Sequence, residues 1–270
     1  MREHKKYKVN RDYRLFNKTD RENSFRITTA LIPAAGQGTR LQHLTKDQPK
    51  CLVDVNGKPL LAHAIDALEA NGFRRLIIIT GYKYEKIDKF VEQYETSLEI
   101  KTAYNDRYAV TNNIYTLWFA GELIEDPFLL IESDLIFERE AISLMSKPDQ
   151  IALDRFNSRI HDGTTANITS DGHLASLNLS GTPVTAESLY KTVNMYSFSR
   201  STWKAVKQAI KSRLDEGHTQ AYYEQAIRDL IRSVKIQLKI ADFSELWWDE
   251  IDSVKDLDRV NRHLAVAPIL

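Results

Sequence analysis

Short apolar runs alternate with amphipathic stretches through the first half of the chain, beginning at Ile27. Continuous runs such as LIIIT are typical of strands buried on both faces of a parallel sheet. Apolar residues that recur every three or four positions predict helices between these runs. The predicted strands are Thr28–Ile32, Leu76–Thr80, Leu98–Ala103 and Phe128–Asp134, and the predicted helices are Pro59–Asn71, Tyr84–Tyr94 and Tyr115–Leu123.

The pattern changes after about Gln150, where shorter alternating runs surround an Asp171-Gly172 turn. No internal repeat or low-complexity linker interrupts the chain. We therefore expect a basic N-terminal extension, residues 1–26, and one domain, residues 27–270, with halves of about 27–150 and 151–264. In the second half we predict strands Val193–Phe198 and Ile236–Asp242 and helices Thr202–Glu216, Ala221–Ser233 and Val254–Leu264.

This succession of elements favours an α/β fold, because strands that alternate with helices usually form a parallel sheet covered on both faces. We predict a Rossmann-like three-layer sandwich with a mixed, mostly parallel sheet. The polar residues that follow its buried strands would then meet at one edge, which is where open α/β sheets bind ligands.

Composition limits the expected partners and cellular location of the protein. The 270 residues include 37 basic and 37 acidic ones, so global charge suggests neither nucleic acid nor an anionic membrane as partner. No apolar run approaches the roughly 20 residues that span a bilayer, and the basic N-terminus lacks the apolar stretch of a secretory signal. The single cysteine, Cys51, fits a reducing compartment, so a cytoplasmic location is expected. Oligomeric state stays open, a homodimer being one option.

A glycine-containing turn follows the first strand, in the segment LIPAAGQGTRL. Glycines let backbone amides approach phosphate oxygens closely, while Arg40 and Lys50 supply cations suited to phosphate. Gly36 and Gly38 have no third glycine at the spacing of the dinucleotide fingerprint, and the Gly-Lys-Ser/Thr ending of a P-loop is absent. A phosphate-binding loop of another type is therefore indicated.

The segments LIPAAGQGTRL and PKCLVDVNGKPLL resemble the signature of nucleotidyltransferases that activate sugar phosphates and choline phosphate, with Pro33 where alanine or leucine is usual. The resemblance implies that Lys50 and Arg40 act on the phosphates during catalysis. It places the nucleotide-binding half at about 27–150 and the acceptor-binding half at about 151–264. The implied nucleotide-binding residues are Ala34, Ala35, Gly36, Gly38, Thr39, Arg40, Lys50, Tyr82, Asn105, Thr111, Asn112 and Ser133.

Two acidic segments suggest a magnesium site. Asp134 ends the run FLLIESD, and Asp252 closes WWDEID before the last predicted helix, with Glu250 as a further candidate ligand. Mg²⁺ prefers one or two protein carboxylates together with phosphate oxygens and water. For Asp252 alone, an N-cap of the helix that starts near Ser253 is the alternative.

The segment TAYNDRYAVTNNIYTLWFA is similar to the corresponding part of the cytidylyltransferases that act on 2-aminoethylphosphonate and on phosphocholine. This resemblance implies CTP as donor and a small phosphonate or phosphate as acceptor. It covers about Ala30–Leu264 and includes LYKTVNMYSFS, AYYEQAI and WWDEIDSVKDL. The implied acceptor-binding residues are Asn113, Tyr115, Lys191, Asn194, Tyr196, Glu224 and Trp248. Aromatic faces and a carboxylate suit an ammonium group, although aromatic residues at these spacings also fit the core.

The expected reaction is an in-line attack of the acceptor oxygen on the α-phosphorus of CTP, with 2-aminoethylphosphonate favoured over phosphocholine. A sugar-1-phosphate nucleotidyltransferase is the alternative, but it should lack the Asn112-Asn113 pair. A non-catalytic nucleotide-binding protein should have lost Lys50 or a carboxylate. His161 and Asp162 are weaker acceptor candidates, and Cys51 is expected to be a buried filler.

Overall fold

The computed structural model describes residues 26–157, 163–179 and 190–267. Residues 1–25 of the N-terminal extension, His161 and Asp162 lie outside these ranges. The strands are β1 (Thr29–Ala34), β2 (Asp54–Val55), β3 (Lys58–Pro59), β4 (Arg75–Thr80), β5 (Glu99–Tyr104), β6 (Phe128–Ile131), β7 (Leu135–Phe137), β8 (Gln150–Arg155), β9 (Thr165–Ile168), β10 (Leu174–Asn178), β11 (Tyr190–Phe198), β12 (Lys239–Asp242) and β13 (Trp248–Glu250).

The α-helices are α1 (Leu60–Ala70), α2 (Tyr84–Gln93), α3 (Asn113–Ala120), α4 (Glu140–Leu144), α5 (Arg200–Asp215), α6 (Tyr223–Arg232) and α7 (Val254–Leu264). Two 3₁₀ segments, Thr39–Thr45 and Lys50–Leu52, follow the glycine turn. Within the described ranges, no helix is long and apolar enough to cross a membrane.

A nine-stranded sheet runs in the order β10-β9-β11-β6-β1-β4-β5, with β8 beside β11 and β12 beside β8. Its strands β6, β1, β4 and β5 are parallel, whereas β11 runs antiparallel to β6, β8 and β9. The predicted mixed sheet is confirmed, and it contains strands of both predicted halves. The assignment of one ligand to each half stays a prediction.

Helices cover both faces of this sheet, which confirms the three-layer sandwich. Residues of β1 alternate between the faces, as expected for a side-chain period of two. Ile32 packs in the core that contains residues of α1, α2 and α4. Leu31 packs in the core that contains residues of α3, α5 and α6.

Predicted element boundaries differ from the observed ones where polar residues follow an apolar run. The strand predicted to reach Asp134 ends at Ile131, because Glu132–Asp134 form the turn before β7. Pro59 ends β3 instead of entering the first helical turn, and α1 begins at Leu60. Helix α7 has the predicted bounds Val254–Leu264.

A short ribbon brings the C-terminal segment to the edge of the sheet. Strand β13 pairs antiparallel with β7, so that Glu250 faces Leu135 in register. The backbone amide of Ile251 also donates to the carbonyl of Asp134 at 3.0 Å. A separate small core, which includes Leu41 and Ile251, lies under this ribbon. The residues that follow β6 and β13 are thereby held side by side.

Candidate active site

Lys50 lies between two carboxylates from distant parts of the chain. Its Nζ is 2.8 Å from Oδ2 of Asp134 and 2.6 Å from Oδ1 of Asp252. Arg40 Nη2 contacts the same oxygen of Asp252 at 2.7 Å, although the Arg40 side chain remains largely exposed. The structure therefore brings together the two predicted cations and the two predicted metal ligands.

The opposite charges in this group shift its pKa values. Burial alone would lower the pKa of Lys50, but Asp134 and Asp252 outweigh burial and raise it. Burial likewise opposes ionisation of Asp134, but Lys50 outweighs it and lowers the pKa of that carboxyl. Both residues are therefore held in their charged forms at neutral pH.

The helix-cap alternative for Asp252 is wrong. Ser253 is the N-cap of α7, and its side chain accepts from the backbone amide of Asp256. The Asp256 carboxylate bonds back to the Ser253 amide at 2.8 Å, which completes a capping box. The Asp252 carboxylate is left to face Lys50 and Arg40.

Gly38 places the glycine turn directly against Lys50. Its φ of 64° lies in the left-handed region, and a Cβ built there would be 2.9 Å from Cβ of Lys50. Gly36, by contrast, has no heavy atom within 4 Å of such a Cβ. The turn at Gly36 is therefore open on the side where a phosphate-bearing ligand would approach.

A small cavity of about 320 Å³ lies on the other side of this turn, with Thr39 and Tyr82 in its wall. The Ala35 carbonyl accepts from the amide of Tyr82 at 3.0 Å. The Tyr82 hydroxyl donates to the carbonyl of Lys46 at 2.6 Å. These bonds tie the predicted nucleotide loop to the loop after β4.

The asparagine-rich segment is fixed by its own hydrogen bonds. Asn105 is buried, and its amide donates to the Thr116 hydroxyl at 3.1 Å. Asn112 is the N-cap of α3, and Asn113 Oδ1 accepts from the amide of Tyr223 at 3.1 Å. The Thr111 hydroxyl donates to the carbonyl of Arg107 at 2.8 Å. Their predicted ligand contacts stay predictions.

Lys191 and Asn194 converge on Glu250. Lys191 is 2% exposed, and its Nζ is 3.0 Å from Glu250 Oε1. The Asn194 amide donates to the same oxygen at 2.7 Å. Asn194 has a φ of 58° at a break in the register between β11 and β8. A β-bulge therefore aims this side chain into the site.

Glu250 is thus a partner of Lys191 as well as a candidate metal ligand. Burial raises the pKa of its carboxyl to about 6, although Lys191 acts in the opposite direction. Asp134 and Asp252 therefore remain the main candidate ligands for magnesium. Glu250 ends β13, two residues before Asp252, but it already accepts two hydrogen bonds.

A cavity of about 640 Å³ opens beside these groups. Its wall contains Arg40, Lys191, Trp248, Glu250 and Asp252. The Lys191 Nζ lies 5.7 Å from the centre of the Trp248 ring, and the Trp248 indole donates to Asp154 at 2.9 Å. All five of these wall residues were predicted site residues: Arg40 belongs to the nucleotide set, Lys191 and Trp248 to the acceptor set, and Glu250 and Asp252 to the metal set.

The other predicted aromatic contacts lie in different surroundings. Tyr196 is fully buried and stacks 6.1 Å from Phe198 in the core. Tyr115 is half-buried and lies 4.8 Å below the guanidinium of Arg107. Trp247, which precedes the predicted Trp248, stacks on His263 with ring centres 4.3 Å apart.

Glu132 is a site residue that sequence reasoning did not select, although it lies in the ESD segment beside the predicted Ser133. Burial and the nearby Asp134 raise the pKa of its carboxyl well above the ordinary range. Burial also raises the pKa of Glu224 to about 7. The signal that could have found Glu132 is an acidic residue directly after a fully buried strand.

The residues present fit a magnesium ion. Asp134 and Asp252 offer two oxygen ligands at one point, and the second oxygen of Asp134 is buried without a hydrogen-bond partner among the described residues. Three or more His, Cys, Asp or Glu in a metal-binding group do not occur in those residues. Two carboxylates completed by phosphate oxygens and water are the arrangement that Mg²⁺ commonly takes beside nucleotides.

Comparison with known proteins decides the family. The family model described as nucleotidyl transferase matches residues 29–164, just over half of the chain. This chain belongs to the nucleotidyl transferase family. Lys50 and Asp134 both lie within the matched residues of the nucleotidyl transferase, whereas Asp252 lies beyond them.

Two curated relatives of this nucleotidyl transferase are cytidylyltransferases. It is 27% identical to a 2-aminoethylphosphonate cytidylyltransferase of Lancefieldella rimae over 236 residues, which cover 85% of this chain and 90% of that protein. It is 38% identical to a choline-phosphate cytidylyltransferase of Streptococcus pneumoniae over 109 residues. That match covers 40% of this chain and spans 46% of the pneumococcal protein.

Among solved structures, a CTP:phosphocholine cytidylyltransferase from Streptococcus pneumoniae is similar to the nucleotidyl transferase at a TM-score of 0.73. The sequence identity is 24%, and the match covers 88% of this chain and 99% of that one. This likeness shows the fold. Proteins named for UTP and glucose-1-phosphate or UDP-glucose chemistry are similar as well.

Proposed function

We propose that this nucleotidyl transferase is a cytidylyltransferase that transfers CMP from CTP to a small phosphonate or phosphate acceptor and releases pyrophosphate. The observation that carries the proposal is the placement of Lys50 between Asp134 and Asp252, beside the open turn at Gly36. A relative that matches this chain over most of both lengths has 2-aminoethylphosphonate in its name. That acceptor is favoured over phosphocholine.

The reaction needs no covalent enzyme intermediate. An oxygen of the acceptor forms a bond to the α-phosphorus of CTP while the bond from that phosphorus to the bridging oxygen breaks. The electron pair of the broken bond leaves with pyrophosphate. Because the acceptor oxygen is already ionised at neutral pH, no strong general base is required, and catalysis depends on positioning and charge stabilisation.

The residues of the site divide this work by position. Lys50 is largely enclosed and stabilises negative charge that builds up around the α-phosphorus. Arg40 is exposed at the rim, where it can bind the outer phosphates and then release them with pyrophosphate. Asp134 and Asp252 would hold Mg²⁺, which when bound neutralises charge between the nucleotide and the acceptor.

The deciding experiment is an assay of pyrophosphate release. The four nucleoside triphosphates are crossed with 2-aminoethylphosphonate, phosphocholine and glucose-1-phosphate, each with Mg²⁺ and with excess chelator. We expect turnover with CTP and one amine-bearing acceptor, and its loss on chelation. Turnover only with glucose-1-phosphate would replace the proposal with a sugar-phosphate activity, and activity that survives chelation would remove magnesium from it.

A further inference from the structure

Two carboxylates of the site have no cationic partner among the described residues. Lys50 is paired with Asp134 and Asp252, and Lys191 with Glu250, but Glu132 and Glu224 form no salt bridge within 4.0 Å. Each residue is half-buried, and each has one carboxylate oxygen that is fully enclosed without a hydrogen-bond partner. The side that remains exposed gives a ligand access to them.

The hydroxyls of two buried tyrosines face the same carboxylates. Tyr196 and Tyr223 are each 0% exposed, and their rings meet edge to face with centres 6.0 Å apart. Neither hydroxyl has a hydrogen-bond partner of normal geometry within the described ranges. Burial and the charges of Glu132 and Glu224 raise the pKa of both hydroxyls. The Tyr223 hydroxyl also interacts with Glu132. The four polar groups therefore converge on one place, where one oxygen of each carboxylate has no hydrogen-bond partner among the described residues.

Such a cluster lowers the stability of the folded protein unless a ligand supplies hydrogen bonds or positive charge. Buried polar atoms without hydrogen bonds are rare in folded proteins, and an unpaired buried carboxylate is costlier still. A proton on each carboxyl would remove its charge but would add one donor only. A primary ammonium brings a positive charge and three N–H donors, whereas a trimethylammonium brings the charge and no donor.

The position and charge of the cluster suit the acceptor substrate and do not suit the phosphates of the nucleotide. Glu132 lies two residues before Asp134, at the end of β6. Glu224 lies at the start of α6 and interacts electrostatically with both Lys191 and Asp134. Two adjacent carboxylates would repel phosphate but attract the positive end of a zwitterionic acceptor whose anionic end reaches Lys50 or Lys191.

On the basis of the cytidylyl transfer proposed above, we infer that Glu132 and Glu224 together bind a primary ammonium group of the acceptor. The hydroxyls of Tyr196 and Tyr223 complete the hydrogen bonds of this pocket. The acceptor substrate is then an aminoalkyl phosphonate or phosphate. The pocket discriminates against a quaternary ammonium, because that group has no N–H to donate to the carboxylate and hydroxyl oxygens.

Binding of acceptors measured by calorimetry tests this inference independently of turnover. The full-length protein is saturated with a non-hydrolysable CTP analogue and Mg²⁺, then titrated with 2-aminoethylphosphonate, with propylphosphonate and with phosphocholine. Propylphosphonate replaces the ammonium with a methyl group of similar size. We expect the amine to bind at least about 30-fold more tightly than propylphosphonate and more tightly than phosphocholine.

Variants assign the effect to the two carboxylates. Glu224→Gln and Glu132→Gln are each expected to weaken binding of the amine at least about tenfold and to leave propylphosphonate within about twofold. Glu125→Gln, an exposed residue away from the site, is the matched control and should change neither. Urea unfolding of each variant shows that the fold is retained.

Each outcome separates the two proposals. Equal binding of the amine and propylphosphonate, a preference that survives both glutamine variants, or no binding of either compound overturns the ammonium pocket. If CTP turnover with Mg²⁺ persists in that case, the cytidylyl transfer stands alone. If the amine is preferred through both glutamates but no acceptor is turned over, the pocket stands and the proposed reaction falls.

Discussion

A side chain at Gly38 would collide with Lys50, because a Cβ built on Gly38 lies 2.9 Å from Cβ of the lysine. The clash is with the stem of the side chain, so relief of the clash would displace Nζ from Asp134 and Asp252. Misplacement of a reacting group by about 1 Å can cost about 10²-fold in rate. We expect Gly38→Ala to lower kcat/KM for pyrophosphate release by one to two orders of magnitude.

Gly72→Ala is the matched control for this substitution. Gly72 has a similar left-handed φ of 73° but no atom within 4 Å of an added Cβ. Both variants should lose about 1 kcal/mol in the free energy of unfolding from backbone strain, and only Gly38→Ala should lose activity. Equal activity in the two variants would show that the Gly38 contact does not position Lys50.

Lys50→Ala should reduce kcat by at least about 10²-fold, since a preorganised donor at developing charge is worth that much in other enzymes. The circular dichroism spectrum should be retained, because Lys50 lies in a short 3₁₀ segment outside the central sheet. Lys58→Ala removes another lysine paired with a carboxylate, Asp66, away from the site. A Lys50 variant as active as the Lys58 variant would remove Lys50 from the mechanism.

Lys191→Met should lower the free energy of unfolding by about 3 kcal/mol, because it leaves Glu250 in a buried position without its cationic partner. Adding Glu250→Gln should recover part of this loss, since the charge that lacked a partner is then gone. Urea unfolding of the two single variants and the double variant measures the coupling. Additive losses would show that the ion pair contributes nothing to stability.

Stability should depend on pH through Glu224. Its folded-state pKa of about 7 lies above the ordinary 4.5, so the folded protein keeps a proton that the unfolded chain has released. The stability from that proton is present below pH 4.5 and is lost as pH rises towards 7, up to about 3 kcal/mol. Glu224→Gln should therefore be more stable than the parent at pH 8 and equally stable near pH 4.

Urea unfolding at the two pH values measures this difference, with Glu125→Gln as the exposed control. A Glu224→Gln variant that gains nothing at pH 8 would show that the carboxyl is satisfied when ionised. Such a result would also count against the inference that Glu132 and Glu224 bind an ammonium group of the acceptor.

Cys51 should resist alkylation in the folded protein. The thiol is buried, and burial raises its pKa to about 12, so little reactive thiolate is present at pH 8. Iodoacetamide labelling followed by mass spectrometry should show modification only in denaturant. Rapid labelling without denaturant would place the thiol in contact with solvent.

The sequence predicted the elements of the first half well because each has a strong local signal. Continuous apolar runs gave β1, β4 and β6, and three- to four-residue periodicity gave α1 and α2. The ribbon of β7 and β13 was not predicted, since three-residue strands carry too little pattern to be separated from loops. The bounds of α7 followed from periodicity, but the sequence left Asp252 open as an alternative cap because Asp and Ser both favour that position.

Site residues that belong to a sequence motif were predictable. Residues whose role depends on contacts between distant segments were not. Lys50, Asp134 and Asp252 come from three separate segments, and the structure brings them together. Glu132 belongs to no such motif, and its only signal is its position directly after a buried strand. Its surroundings depend on Glu224 and Tyr196, which reach it only in the folded protein. The partner of Lys191 likewise depends on the pairing of β13 with β7.

The three-residue ladder between β7 and β13 has a consequence for how the protein would lose activity. Together with the hydrogen bond from Ile251 to Asp134, it aligns the strand ends that carry Asp134 and Asp252, and it lies outside the nine-stranded sheet. Short ribbons with few hydrogen bonds open at lower free energy than central strands. Opening this ribbon would separate the two carboxylates while the sandwich stays intact. Heat or mild denaturant would then inactivate a population of molecules whose core is still native, and the inactivation midpoint would precede the unfolding midpoint.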